Sequence, residues 1–135
     1  SDFGNVAGKY MTHIYAYDAS GKLITSYCNI PAVDFVNRTK IESASIAFVT
    51  SNSYDVRCYV PTGTKYVHYY TYPNNYWENV VCTTYEITSF DGYINHRIYI
   101  KDHKNMKGEY HTEIHAYDKN YNLLDRTPML TTTIK

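Results

Sequence analysis

The sequence predicts an all-β chain: an antiparallel β-sandwich of about seven strands, preceded by an additional β-hairpin. Three observations predict it. Strand-like alternation of apolar and polar residues dominates, and no helical stripe interrupts it. Residues 8–23, GKYMTHIYAYDASGKL, recur as residues 108–123, GEYHTEIHAYDKNYNL, at a constant offset of one hundred. The chain also holds seventeen tyrosines, a residue that suits pleated, half-buried surfaces.

The recurrence sets the domain organisation. Gly8, Tyr10, Thr12, Ile14, Ala16, Tyr17, Asp18 and Leu23 each meet an identical residue one hundred positions later, and such spacing is the signature of a repeat array. Residues 1–28 read as the C-terminal hairpin of a preceding repeat, 29–40 as a linker with Pro31 and no sustained alternation, and 41–135 as one complete repeat.

In the complete repeat the predicted strands are 43–49, 54–60, 65–72, 79–87, 93–101, 109–118 and 122–132. Gly/Pro/Asn/Asp clusters at 50–53, 61–64, 73–75, 91–92 and 103–106 supply the corners. Within 109–118, Tyr110, Thr112, Ile114 and Ala116 share one face, and His111, Glu113, His115 and Tyr117 the other. The identical residues of the two copies are mostly on the first face, so what repeats is chiefly the core. Tyr10, Ile14, Tyr110 and Ile114 are therefore expected to be buried. Asp18 and Asp118 head four-residue turns and can bond forward to their own backbone.

Gly108-Glu-Tyr110 places a tyrosine at the start of the penultimate strand, as in the tyrosine corner of immunoglobulin-like sandwiches. Thr112 stands where an antibody domain has cysteine, so the likeness is to the architecture alone. Cys28, Cys58 and Cys82 fit no metal spacing. A bridge between Cys58 and Cys82 is one alternative, and buried free thiols are the favoured one.

Composition excludes several functions. Thirteen basic residues balance thirteen acidic ones, so no electrostatic footprint for nucleic acid is present. No apolar run approaches the length needed to span a membrane. His111, Glu113 and His115 alternate onto one strand face, but the first copy has Met11, His13 and Tyr15 there, which argues against a metal site. There is no nucleophile elbow, no phosphate-cradling glycine loop and no convincing acid pair. The expectation is a chain without catalytic residues, metal or cofactor.

One segment carries dense surface chemistry: Tyr66, His68, Tyr70 and Tyr72 lie on one strand face, followed by Asn74, Asn75, Tyr76 and Trp77. A strand cannot bury rings of both faces against one core. Exposed rings beside amides are what a sugar platform needs. The competing reading is that the rings cover the outer sheet surface or a contact between repeats, with Trp77 in the core.

The pattern Gly8, Tyr10, His13, Tyr15 and Asp18, with Gly108, Tyr110, Tyr117 and Asp118 keeping its frame, resembles the end of the GBS Bsp-like repeat. Glu113 and His115 depart from that pattern, and Thr84-Tyr85 stands where a Trp-Tyr pair is usual. The resemblance implies a secreted, extracellular module of a cell-wall-associated bacterial surface protein, often beside a peptidoglycan hydrolase domain. Its expected role is that of a non-catalytic spacer and interaction domain, with binding of cell-wall glycan through 66–77 as the alternative. The partners so implied are glycan, neighbouring repeats or a catalytic domain of the same protein. The leading hairpin, whose inward face lacks its own first five strands, is expected to exchange into a second copy as a dimer, or else to fold back.

Overall fold

The computed structural model describes residues 8–10, 12–27, 33–88 and 92–135. Cys28, Asp91 and all of 29–32, together with the side chain of Tyr10, lie outside this description. The chain divides into two compact units, Ser1–Asn37 and Arg38–Lys135.

In the first unit β1 (Gly8–Tyr10) pairs with β4 (Val33–Phe35), and β2 (Ile14–Tyr17) with β3 (Leu23–Tyr27), all antiparallel. β4 is a strand inside the segment read as a linker. Three residues are too few to show alternation, which is why the pattern missed it. Asp18 closes the β2–β3 turn, its Oδ1 accepting the amides of Ser20 and Lys22 at 2.9 Å.

The second unit is an antiparallel β-sandwich. β5 (Glu42–Ala47), β6 (Ser53–Tyr59) and β9 (Tyr93–Tyr99) form one sheet in that order. The other is ordered β11 (Leu123–Arg126), β10 (Gly108–Tyr117), β7 (Tyr66–Pro73), β8 (Val81–Glu86), with β12 (Leu130–Ile134) also on β10. The chain changes sheet between β6 and β7, returns at β9 and crosses again at β10. This is the order of an immunoglobulin-like fold.

Period-2 alternation explains the layers. Tyr54, Val56 and Cys58 of β6, Ile94 and Ile98 of β9, Val67 and Tyr69 of β7, and Tyr110 and Ile114 of β10 are buried in one cluster between the sheets. Full burial of such an aliphatic side chain is worth about 1.5–3 kcal/mol. Tyr54 Oη and Thr112 Oγ1, 2.9 Å apart, join the sheets through the core. The tyrosine corner is present: Tyr110 Oη donates to the Met106 carbonyl at 2.8 Å.

Several predicted strands are shorter than read: 43–49 ends at Ala47, and 79–87 spans only Val81–Glu86. The strand 93–101 ends at Tyr99 and turns into a 3₁₀ segment, Ile100–His103, that buries Ile100 and bonds His103 Nε2 to Thr71 Oγ1 at 2.8 Å. The strand 122–132 breaks between β11 and β12. There Pro128 has no N–H to offer a ladder, and Thr127 Oγ1 accepts the Ile114 amide instead. One expectation fails: Ile14 is 53% exposed while Ile114 is fully buried. Ile114 has the β5–β6–β9 sheet over it, whereas among the described residues β2 has only β3 as its partner.

Candidate functional site

The outward residues of β7 and β10 form one surface. Antiparallel register sets Tyr72 opposite His111, Tyr70 opposite Glu113, His68 opposite His115 and Tyr66 opposite Tyr117. Eight side chains from segments more than thirty-five residues apart become a grid of rings, imidazoles and one carboxylate. Tyr72 stacks on His111 with ring centroids 5.1 Å apart, Tyr70 lies 4.8 Å from His115, and His68 4.8 Å from Tyr117. Tyr121, from the β10–β11 turn, stacks flat on Tyr66 at 4.4 Å and 6°.

These contacts hold the polar groups of the face. His115 Nε2 lies 3.3 Å from Glu113 Oε2. Glu109 Oε1 is 3.0 Å from His111 Nε2 without the alignment of a hydrogen bond. Burial, assisted by the neighbouring His115 charge, lowers the pKa of His68. Burial and the Tyr117 hydroxyl push Tyr70 up to about 12, and burial with the Glu113 charge raises Tyr72. Burial thus favours the neutral forms of His68, Tyr70 and Tyr72.

The sequence-predicted site residues scatter into three roles. Tyr66, His68 and Tyr70 are half-buried in the grid. Tyr72 is only 8% exposed, beneath Trp77, whose ring meets it edge-on at 5.1 Å, and its hydroxyl donates to Met129 Sδ at 2.9 Å. Trp77 is itself exposed, in the 3₁₀ segment Trp77–Asn79, and does not enter the core. Asn75 and Tyr76 are exposed beside it. Asn74 is engaged in the fold: its Oδ1 accepts the Glu109 amide and its Nδ2 donates to the Lys107 carbonyl, both at 3.1 Å.

The sequence reading of the site left out the β10 half of the grid, together with Tyr121, Arg126 and Met129. Shared parity in 109–118 was the available signal, but only the pairing of β7 with β10 brings the two rows together. Beside the grid the broken last strand opens a shallow depression of about 440 Å³ lined by Glu113, Arg126, Thr127, Pro128 and Met129.

Among the described residues both cysteines are unpaired: Cys58 faces the core from β6, while Cys82 is exposed on β8, in the other sheet. Burial pushes the Cys58 thiol up to about 12 and also raises Cys82, so neither is an activated nucleophile. Among the described residues no group of three or more His, Cys, Asp or Glu side chains is arranged to hold a metal ion.

No protein-family model matches the chain. No curated protein matches it in sequence. Among solved structures it is similar to a polysaccharide deacetylase from Bacillus cereus, with 12% identity and a TM-score of 0.54 over 68% of this chain and 29% of that one. A putative polysaccharide deacetylase from Bacillus anthracis matches at 10% identity and a TM-score of 0.55, over 68% and 29%. The FN1–FN3 domains of chicken CNTN1 match at 8% identity and a TM-score of 0.55, over 96% of this chain and 43% of that one. Likeness at this identity carries the β-sandwich fold alone. The chain spans less than a third of the length of the two deacetylase structures.

Proposed function

We propose that the chain is a non-catalytic immunoglobulin-like repeat module, a spacer and interaction domain of an exported, cell-wall-associated bacterial protein of the GBS Bsp-like kind. The observation that carries it is the repetition of one hairpin: the same two strands, the same register and the same aspartate turn at one-hundred-residue spacing. Repeats of this kind serve to extend and present what they flank. The side chains that could do chemistry are engaged with one another, which supports a binding surface over a reaction centre. Incubating the protein with purified bacterial cell wall tests this. The expected result is no release of sugars or peptides, and released fragments would overturn the non-catalytic reading.

The exposed rings of Trp77, Tyr76 and Tyr121, together with a depression lined by Glu113 and Arg126, favour a second reading, binding of cell-wall glycan. Sedimentation with cell wall, comparing the protein with its Tyr70→Ala/Trp77→Ala variant, tests that reading. Retention of the protein and loss of the variant are expected. A protein that stays in the supernatant would remove the glycan reading.

A further inference from the structure

Three residues, Thr127, Pro128 and Met129, stand where β10 presents only two, Glu113 and Ile114, because His115 pairs with Arg126 and Thr112 with Leu130. This one-residue surplus is a β-bulge, and bulges are over-represented where a strand re-aims side chains at a binding site. It is held at both sides. The Ile114 carbonyl accepts the Thr127 amide at 2.9 Å, the Ile114 amide donates to Thr127 Oγ1 at 3.0 Å, and Met129 Sδ accepts the Tyr72 hydroxyl.

We infer that the depression made by this bulge is a subsite for the acetamido group of an N-acetylated amino sugar within an oligosaccharide; the inference rests on the glycan-binding reading above. An acetamido group has an N–H to donate, a carbonyl to accept and a methyl to bury. Glu113 supplies a carboxylate acceptor, and its Oε2 is steadied by His115. Arg126 supplies a guanidinium whose donors suit a carbonyl oxygen. Pro128 and Met129 supply an apolar wall for the methyl. Tyr70, set opposite Glu113, and the exposed Trp77, which covers Tyr72, offer ring surface to the sugar. A volume of about 440 Å³ falls within the ordinary range of small-ligand sites. A neutral hexose would leave the methyl wall and one charged partner unused, so the geometry selects the acetylated sugar over its hydroxyl analogue.

The test is calorimetric titration of the intact chain with chitotetraose and, separately, with cellotetraose, which differ in carrying acetamido or hydroxyl groups. Chitotetraose is expected to bind at least tenfold more tightly. Glu113→Gln and Arg126→Met, checked for unchanged near-UV circular dichroism, should each weaken chitotetraose binding tenfold or more. Lys101→Met, on the 3₁₀ segment after β9, should leave it unchanged. Equal binding of the two oligosaccharides, or full binding by both variants, overturns the acetamido subsite while the glycan reading stands. Sedimentation with cell wall in the absence of oligosaccharide binding likewise overturns the subsite alone. No binding to either oligosaccharide or to wall removes the glycan reading and the subsite with it.

Discussion

β2 with β3, and the second half of β10 with β11, are two copies of one hairpin placed in different surroundings. Ile14, Ala16 and Tyr17 recur as Ile114, Ala116 and Tyr117. Both hairpins slip register at the same point, between Ala16 and Tyr17 and between Ala116 and Tyr117. Both turns rest on an aspartate Oδ1 that accepts two amides ahead of it, Ser20 and Lys22 in one, Asn120 and Asn122 in the other. Yet Ile14 is 53% exposed and Ile114 is fully buried. Pairing, bulge and turn are properties of the hairpin itself. Burial is a property of the sheet that faces it.

The comparison is broken most directly at the isoleucines. Ile114→Ala should cost about 2–5 kcal/mol, while Ile14→Ala should stay within about 0.5 kcal/mol, both read from the urea midpoint. Equal effects at the two positions would mean that the first copy is covered after all.

A smaller contrast is expected at the glycines that open the repeated strands. Gly108 has φ +123°, and an added Cβ would collide with the Asn74 amide that bonds the backbone of Glu109 and Lys107. Gly8 has φ +155° and open space around it. Gly108→Ala should therefore destabilise by about 1–3 kcal/mol and Gly8→Ala by clearly less, measured by thermal melting.

Buried imidazoles add a pH dependence to the second unit. Burial lowers the pKa of His96, which stacks on Tyr69 at 4.4 Å, and of His103, below the ordinary value of 6.5. Protons then bind the unfolded chain first. Stability is intact above about pH 6.5 and falls as the pH drops through that value, before any carboxylate titrates. A midpoint unchanged between pH 7.5 and 5.5 would contradict the burial of both rings.

The smallest effect belongs to the turns, where the copies should agree. Hydrogen bonds lower the pKa of both aspartates, from Ser20 first at Asp18 and from Asn122 first at Asp118. Asp18→Ala and Asp118→Ala should each loosen their own turn to a similar extent, seen as faster exchange of the amides at 22 and 122. A difference between them would show that the turn depends on its surroundings.

Tyr121 marks where the second turn gains something the first lacks. Its φ is +61°, in the left-handed region where the first copy has Gly21 at +84°. The stack on Tyr66 offsets that strain. The sequence shows the tyrosine and the missing glycine, but not the ring that waits for it.

Much of the fold was legible because its signals are local. Alternation marked the strands of the second unit, the aspartates marked both repeated turns, and Gly108-Glu-Tyr110 marked the tyrosine corner. The site was legible only in half. Tyr66, His68, Tyr70 and Tyr72 declared a common face through period-2 alternation, as did His111, Glu113, His115 and Tyr117, but nothing within either segment says that the two rows adjoin. By itself the sequence determined which residues share a strand face and how each hairpin turns, since both depend on neighbours a few positions away. Which faces are covered, which rows of rings meet, and where a one-residue surplus opens a depression were decided by the tertiary structure. Those outcomes depend on strands brought together from distant parts of the chain.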